Sequence, residues 1–274
     1  HTSSDWQREQ AVRATMMQSL ETSVQQTNLD EASVASVALN VASLIASAAS
    51  VSEANAAMTV NVATALVEAA AASSASIPAT SLTRLLTPLD HALRHVANRT
   101  VSEAAVNASV IVQTLEAYAA TAAVAALPDA DATTAVHSMY RLSTQAFALS
   151  TTGTLNSSLS VPTTALEAAQ SVAQTNLRLQ TNLSSGSEEA SLLASANAIA
   201  VQLMEYPQRV LAASTAATVK SNLVSVATHA LDATGDVLGE VSSFDIEIVH
   251  TTSIALSNVS AAAHYFDVNC TAAM

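Results

Sequence analysis

Residues 80–97 read TSLTRLLTPLDHALRHVA, and their large apolar side chains recur at alternating intervals of three and four residues. That spacing puts the apolar side chains on one narrow face of an α-helix. The residues on this face are Leu82, Leu86, Leu89, Leu93 and Val96. Pro88 lies inside the pattern. A proline removes a backbone hydrogen-bond donor, so we expect a kink or a break in the helix near Pro88, and likewise near Pro207.

The same periodicity recurs along most of the chain, for example at Val34, Val37 and Val41. It predicts a mainly α fold, an array or bundle of about nine short antiparallel helices. The expected helices are 4–26, 30–49, 51–74, 80–97, 101–126, 129–149, 163–181, 187–213 and 215–234.

Four capping boxes, each a Ser or Thr followed three residues later by Glu, precede apolar runs and mark helix starts. In such a box the hydroxyl accepts from a free N–H of the first turn, and the Glu reaches back to the N–H of the cap. The pairs are Ser50 with Glu53, Thr100 with Glu103, Thr164 with Glu167, and Ser185 with Glu188.

The pattern changes after Gly239, where residues 243–250 alternate apolar and polar side chains. Alternation of this kind predicts a β-strand, and a second strand is expected near 263–268. We therefore expect two parts, an all-helical bundle over 1–238 and the onset of a small β-rich segment over 239–274.

Composition excludes several classes of protein. Only 11% of the residues are charged, against about 25% in average domains, and the net charge is −13 with nine basic residues. A nucleic-acid-binding protein needs clustered Lys and Arg to neutralise phosphates, so nucleic acid is not an expected partner. The uncharged stretch 32–52 carries polar residues and only one apolar stripe, so direct membrane insertion is not expected either.

Six Asn-x-Ser/Thr sequons are candidate N-glycosylation sites, provided that the chain passes through the secretory pathway. They are Asn98, Asn107, Asn156, Asn182, Asn258 and Asn269. The single cysteine, Cys270, cannot form a disulfide within the chain, so in a secreted protein its expected partner lies outside it.

No catalytic signature is present. The sequence has no Gly-x-Ser-x-Gly, no glycine-rich phosphate loop and no dinucleotide fingerprint. His91 and His95 are one helical turn apart, but no third ligand type lies near them, so surface histidines are the favoured interpretation. We predict no catalytic, cofactor-binding or metal-binding residue, and a protein that is not an enzyme.

The capped, Leu/Val/Ala-striped helices followed by the alternating strand at 244–249 resemble one region of polycystin-1-like proteins. That region lies between the receptor-for-egg-jelly part and the autoproteolysis-inducing (GAIN) β-sandwich, and it includes the helical half of the latter domain. The alanine bias and the single lysine, Lys220, are typical of a GC-rich genome such as a green alga's. The chain departs from the family at His250-Thr251-Thr252, which lacks the Leu of the His-Leu-Thr cleavage site and the surrounding Trp and Cys.

The resemblance implies a non-enzymatic, extracellular module of a large membrane receptor that acts in adhesion, mechanosensation or channel-partner assembly. Its implied partners are other protein domains, among them a polycystin-2-like channel or an extracellular filament. Its implied location is the outer face of the plasma or ciliary membrane, or the secreted state. Two alternatives stay open: a self-assembling structural glycoprotein of a ciliary hair or cell wall, and a cytoplasmic signalling helical bundle.

Overall fold

The computed structural model describes residues 3–26, 29–47, 51–72, 79–97, 108–150, 155–169, 175–181, 188–206, 223–241 and 244–250. Within these residues the first part of the chain is helical. It comprises α1 (Ser3–Gln26), α2 (Glu31–Leu44), α3 (Glu53–Ala72), α4 (Ala79–Leu82), a 3-10 turn (Thr83–Leu85), α5 (Leu86–Ala97) and α6 (Ala108–Val124).

The rest is mostly strand. It comprises β1 (Thr133–Val136), β2 (Arg141–Ala148), β3 (Asn156–Ser160), α7 (Ala165–Ala169), β4 (Thr175–Thr181), α8 (Glu188–Ser195), β5 (Ala198–Tyr206), β6 (Leu223–Leu231), β7 (Val237–Glu240) and β8 (Phe244–His250).

The predicted array of nine helices is therefore wrong, and the fold is mixed α/β. Helices occupy much of the first five predicted segments. In the described residues of 129–149, 163–181, 187–213 and 215–234, strands replace the expected helices, and the helices described there are the short α7 and α8. The helical part thus does not extend to residue 238. The strand expected within 243–250 is present as β8, whereas residues 263–268 lie outside the described residues. The division into two parts at residue 238 stays a prediction.

The strands form two antiparallel sheets. The larger has the order β1-β2-β5-β6-β7 and the smaller the order β3-β4-β8. The β2–β5 ladder runs from Arg141 opposite Glu205 to Ala148 opposite Ala198, which makes β5 a central strand with a partner on each side.

All nine residues of β5 are buried, because the strand is covered on both faces. On one face Ile199, Val201 and Leu203 share a core with leucines of β4 in the smaller sheet. On the other face Ala198 and Ala200 share a core with Ala123 of α6. A strand buried on both faces shows no apolar–polar alternation. The helix expected over 187–213 followed from the helical spacing of Ile199, Leu203 and Tyr206. In β5 these residues face different neighbours, so the spacing is coincidental and the helix prediction is wrong there.

The main core of the helical part continues into the larger sheet. Leucines of α5 and α6 pack in one cluster with side chains of β2, β5 and the turn between β1 and β2. Its sheet-side members are Met139, Tyr140, Leu142, Met204 and Tyr206. The helices and the larger sheet thus share apolar packing.

The break expected near Pro88 is present just before it. The 3-10 turn Thr83–Leu85 separates α4 from α5, and Pro88 lies in the first turn of α5. The first-turn N–H groups of a helix have no intrahelical partner, so a proline costs least there.

Side-chain caps account for several helix starts. The box at α7 is present as predicted: Thr164 N donates to Glu167 Oε2 at 2.8 Å, and Glu167 N donates to Thr164 Oγ1 at 3.2 Å. Asp30 caps α2: Ser33 N donates to Asp30 Oδ1 at 2.8 Å, and this cap lies outside the Ser/Thr–Glu pattern. At α3 the cap is Ser52, while Ser50 lies outside the described residues.

Candidate functional site

Among the described residues, several buried polar contacts come together where α5 meets the β1–β2 turn. Asp90, on α5, is only 4% exposed, and its carboxylate faces that turn. Met139 N donates to Asp90 Oδ1 at 2.7 Å, and Ser138 Oγ donates to Oδ2 at 2.8 Å. Burial of a carboxylate is costly unless donors replace its water, and two donors of the turn do so here. We call this arrangement the Asp90 joint.

Arg94 completes the joint from the same helix. One turn after Asp90, its guanidinium donates to Ser138 Oγ and lies 3.7 Å from Asp90 Oδ2. The Arg94 side chain is 42% exposed, so water screens its attraction to the carboxylate. The Ser138 hydroxyl therefore accepts from the Arg94 guanidinium and donates to the Asp90 carboxylate. The two hydrogen bonds connect the partly exposed Arg94 to the buried Asp90.

Two aromatic side chains of the turn also contribute to the contact between α5 and the β1–β2 turn. Tyr140 is fully buried, and its hydroxyl donates to the backbone carbonyl oxygen of Leu86 in the first turn of α5 at 2.8 Å. Burial raises the pKa of Tyr140 well above its ordinary value, so the hydroxyl remains a donor. The His137 ring stacks on Tyr140 with centroids 4.9 Å apart.

His137 is the titratable group of the joint whose pKa burial shifts toward the neutral form. Burial lowers the pKa of His137 below the ordinary 6.5; the Asp90 charge opposes this shift and His91 adds to it. The ring is therefore mainly neutral at pH 7.

His91, one of the two histidines that the sequence singled out on α5, contacts α2. His91 Nδ1 lies 3.0 Å from the carbonyl oxygen of Ile45, at the end of α2. Within the described ranges, no group of three His, Cys, Asp or Glu side chains lies close enough to hold a metal ion. His91 thus links α5 to α2, and the neighbouring Asp90 forms the joint.

A second polar cluster lies where β2, β4 and β5 meet α7. Glu205, at the end of β5, is buried and accepts from Thr175 Oγ1 at 3.3 Å. Arg141, its partner in the β2–β5 ladder, forms an ion pair with Glu167 of the α7 capping box. The backbone hydrogen bond from Thr164 is the largest cause that lowers the pKa of Glu167, and the bonds from the Thr164 side chain and from Arg141 add to it. This cluster fixes α7 to the larger sheet.

Of the predicted site residues, only Asn156 lies among those described. It is the first residue of β3, and it is exposed. The other five sequon asparagines and the predicted disulfide residue lie outside the described residues; they are Asn98, Asn107, Asn182, Asn258, Asn269 and Cys270.

Sequence reasoning missed the Asp90 joint, although one signal for it was present. Asp90 follows Leu89 directly and precedes Leu93 by three positions, so it borders the apolar stripe of α5. A carboxylate at such a position is either paired or at the edge of the core. What the sequence could not supply was its partner, because Ser138 and Met139 are almost 50 residues away, in a segment predicted to be helical.

No known protein family matches the chain, and no curated protein matches it either. Among the described helices, none is both long and apolar enough to cross a bilayer.

Proposed function

We propose that this chain is a non-enzymatic, extracellular module of a polycystin-1-like membrane receptor, in which helices and antiparallel sheets together connect outer domains to the membrane. The order of the elements supports this proposal, because helices followed by antiparallel strands are what the resemblance to the GAIN region implies. The proposal departs from the initial expectation in one respect: the module is a combined helix-and-sheet unit.

The Asp90 joint is the observation that carries the proposal. A protein that transmits force needs contacts between its parts that resist separation, and apolar packing alone is non-directional. Here the shared core is supplemented by directional bonds from Met139 N and Ser138 Oγ to a buried carboxylate. Charge-assisted bonds of this kind are shorter and stronger than neutral ones. We infer that load applied to the helices passes through α5 into the β1–β2 hairpin.

The proposed role needs no active site. Its partners would be neighbouring domains of the same receptor and a polycystin-2-like cation channel, with the module on the outer face of the plasma or ciliary membrane. The cytoplasmic signalling bundle is not carried forward, because it required helices throughout the chain, and residues 133–231 contain strands β1 to β6.

Treatment of intact source cells with an external protease or a membrane-impermeant biotin reagent tests this proposal on the native full-length protein. We expect the segment to be labelled without lysis, and a channel subunit to co-purify after mild crosslinking. A cytosolic protein followed in the same samples is the control for cell integrity. Protection of the segment in intact cells, with digestion only after lysis, would contradict the proposal.

Single-molecule pulling tests the mechanical part with matched variants. Asp90→Asn keeps the size of the side chain but removes its charge, whereas Arg94→Ala removes an exposed partner on the same helix. We expect Asp90→Asn to lower the force at which helices and sheet separate, and Arg94→Ala to change it less. Equal rupture forces for wild type and Asp90→Asn would contradict the inference that load passes through the Asp90 joint.

The structural-glycoprotein alternative has one observation in its favour. Val12 and Met16 lie one turn apart on α1 and are 57% and 52% exposed, which leaves an apolar strip that a second molecule could cover. Sedimentation of the wild-type chain and of Val12→Ser/Met16→Ser distinguishes the two functions. Concentration-dependent fibres that the double substitution abolishes would favour the structural protein over the receptor module.

A further inference from the structure

The smaller sheet ends on one side at β3, and this edge is open among the described strands. The sheet order β3-β4-β8 gives β3 a single partner, β4. Val161 N, directly after β3, donates to the carbonyl oxygen of Thr175 at 2.9 Å. Because the bonds of an antiparallel ladder alternate along the strand, the backbone groups of residues 156, 158 and 160 point away from β4. Among the described strands, none but β4 pairs with β3, and these groups face the side away from β4.

Edge strands invite pairing with other chains unless charge, proline, a bulge or short length prevents it. The other edges have such features. β7 ends on Glu240 and meets β6 at an irregularity of register, β8 contains Asp245 and Glu247, and β1 has only four residues. By contrast, β3 reads NSSLS, with neither a charged residue nor a proline. Its ladder with β4 is regular, without a bulge, so of these forms of protection β3 has only its short length of five residues.

The one described sequon starts on this strand. Asn156 is followed by Ser157 and Ser158, as the glycosylation signal requires. Asn156 and Ser158 are exposed, whereas Leu155 and Leu159 are buried against the larger sheet. The Asn156 side chain therefore lies on the outer face of the smaller sheet, beside its open edge, where a bulky substituent meets no described element.

We propose that Asn156 carries an N-linked glycan that covers the open edge of β3 and prevents it from pairing with another chain. The glycan takes the place of the charges and bulges that protect the other edges. This inference rests on the proposed function to the extent that the chain must pass through the secretory pathway.

The experiment uses the full 274-residue chain secreted from a eukaryotic host. Glycan release by an amidase in heavy-oxygen water marks each occupied asparagine, and sedimentation velocity measures the oligomer fraction. Asn156→Gln and Ser158→Ala both destroy the sequon, whereas Ser158→Thr is the matched control that keeps it. Ser158→Glu also destroys the sequon but puts a charge on the edge, opposite Arg178 in the β3–β4 ladder. Circular dichroism verifies that each variant is folded.

We expect Asn156 to be occupied in wild type and Ser158→Thr, and both proteins to be monomeric. Asn156→Gln and Ser158→Ala should give a severalfold larger oligomer fraction, and the Ser158→Glu protein should return to monomer without a glycan. A bare Asn156 in a secreted chain whose other sequons are occupied overturns the inference and leaves the proposed function standing. An occupied Asn156 whose loss leaves the protein monomeric overturns the protective role. In native protein, six unmodified asparagines would overturn the proposed function as well.

Discussion

Replacement of Asp90 by alanine removes the acceptor that ties the β1–β2 turn to α5. Met139 is buried, and its N–H would lose a charged partner at 2.7 Å. A hydrogen bond to a charged group is worth about 1.5–3 kcal/mol. Ser138 is exposed, so water can replace most of its bond. We expect the free energy of unfolding to fall by about 2–3 kcal/mol.

Arg94→Ala is the matched control, because it removes the exposed partner of the same carboxylate. Its cost should be at most about 1 kcal/mol, as for other solvent-screened ion pairs. Asp90→Asn should fall between the two, since its amide oxygen can still accept from Met139 N. Urea unfolding followed by far-ultraviolet circular dichroism and by the fluorescence of Trp6, the only tryptophan, gives these values.

Amide hydrogen exchange at Met139 adds a local measurement. In Asp90→Ala this amide should exchange faster relative to those of β5, because the turn has lost its acceptor. A loss of stability below about 0.5 kcal/mol, or one no larger than that of Arg94→Ala, would refute the conclusion that the bond to Met139 N dominates the joint.

Three further expectations concern other elements. Burial lowers the pKa of His137 in the fold, so near and below pH 6.5 the unfolded chain binds more protons than the folded chain. The free energy of unfolding should therefore decrease from pH 7.5 to pH 5.5, and His137→Gln should make the drop in the urea midpoint smaller. A drop of unchanged size in His137→Gln would exclude His137 as its source. Ala200→Leu would overfill the contact between β5 and α6 and should lower the free energy of unfolding by about 1–3 kcal/mol. Ala117→Leu, on the exposed side of α6, should change the melting temperature little. Equal effects of the two substitutions would contradict the packing described. Asp129 has a φ of 59°, so Asp129→Val should cost about 1–3 kcal/mol in thermal unfolding and Asp131→Val, without that backbone constraint, clearly less.

Local signals in the sequence indicated the helical part well. The stripe from Leu82 to Val96 faces the core, Pro88 follows a break, and Thr164 and Glu167 form their capping box. Each of these depends on residues that lie within a few positions of one another. Periodicity and capping are local properties, so they can be read without knowledge of the distant chain.

The strands were not predicted, because they depend on contacts between distant parts of the chain. β5 owes its form to α6 on one face and the smaller sheet on the other, and neither neighbour is adjacent in sequence. Alanine, which is common in helices, lies in β5 at Ala198 and Ala200 because the face toward α6 requires small side chains. Tertiary contacts overrode local propensity there. The Asp90 joint was hidden for the same reason, because its donors belong to a hairpin that the sequence did not predict.

The burial of β5 on both faces has a consequence for how the sequence can change over time. Most strands have a solvent-facing side where substitutions are nearly neutral, but β5 has none in nine consecutive positions. Only exchanges that conserve volume and hydrogen bonding should be tolerated there. In a library of all single substitutions we expect β5 to form the longest uninterrupted stretch of intolerance, and natural variants of this protein to diverge around it long before they diverge within it.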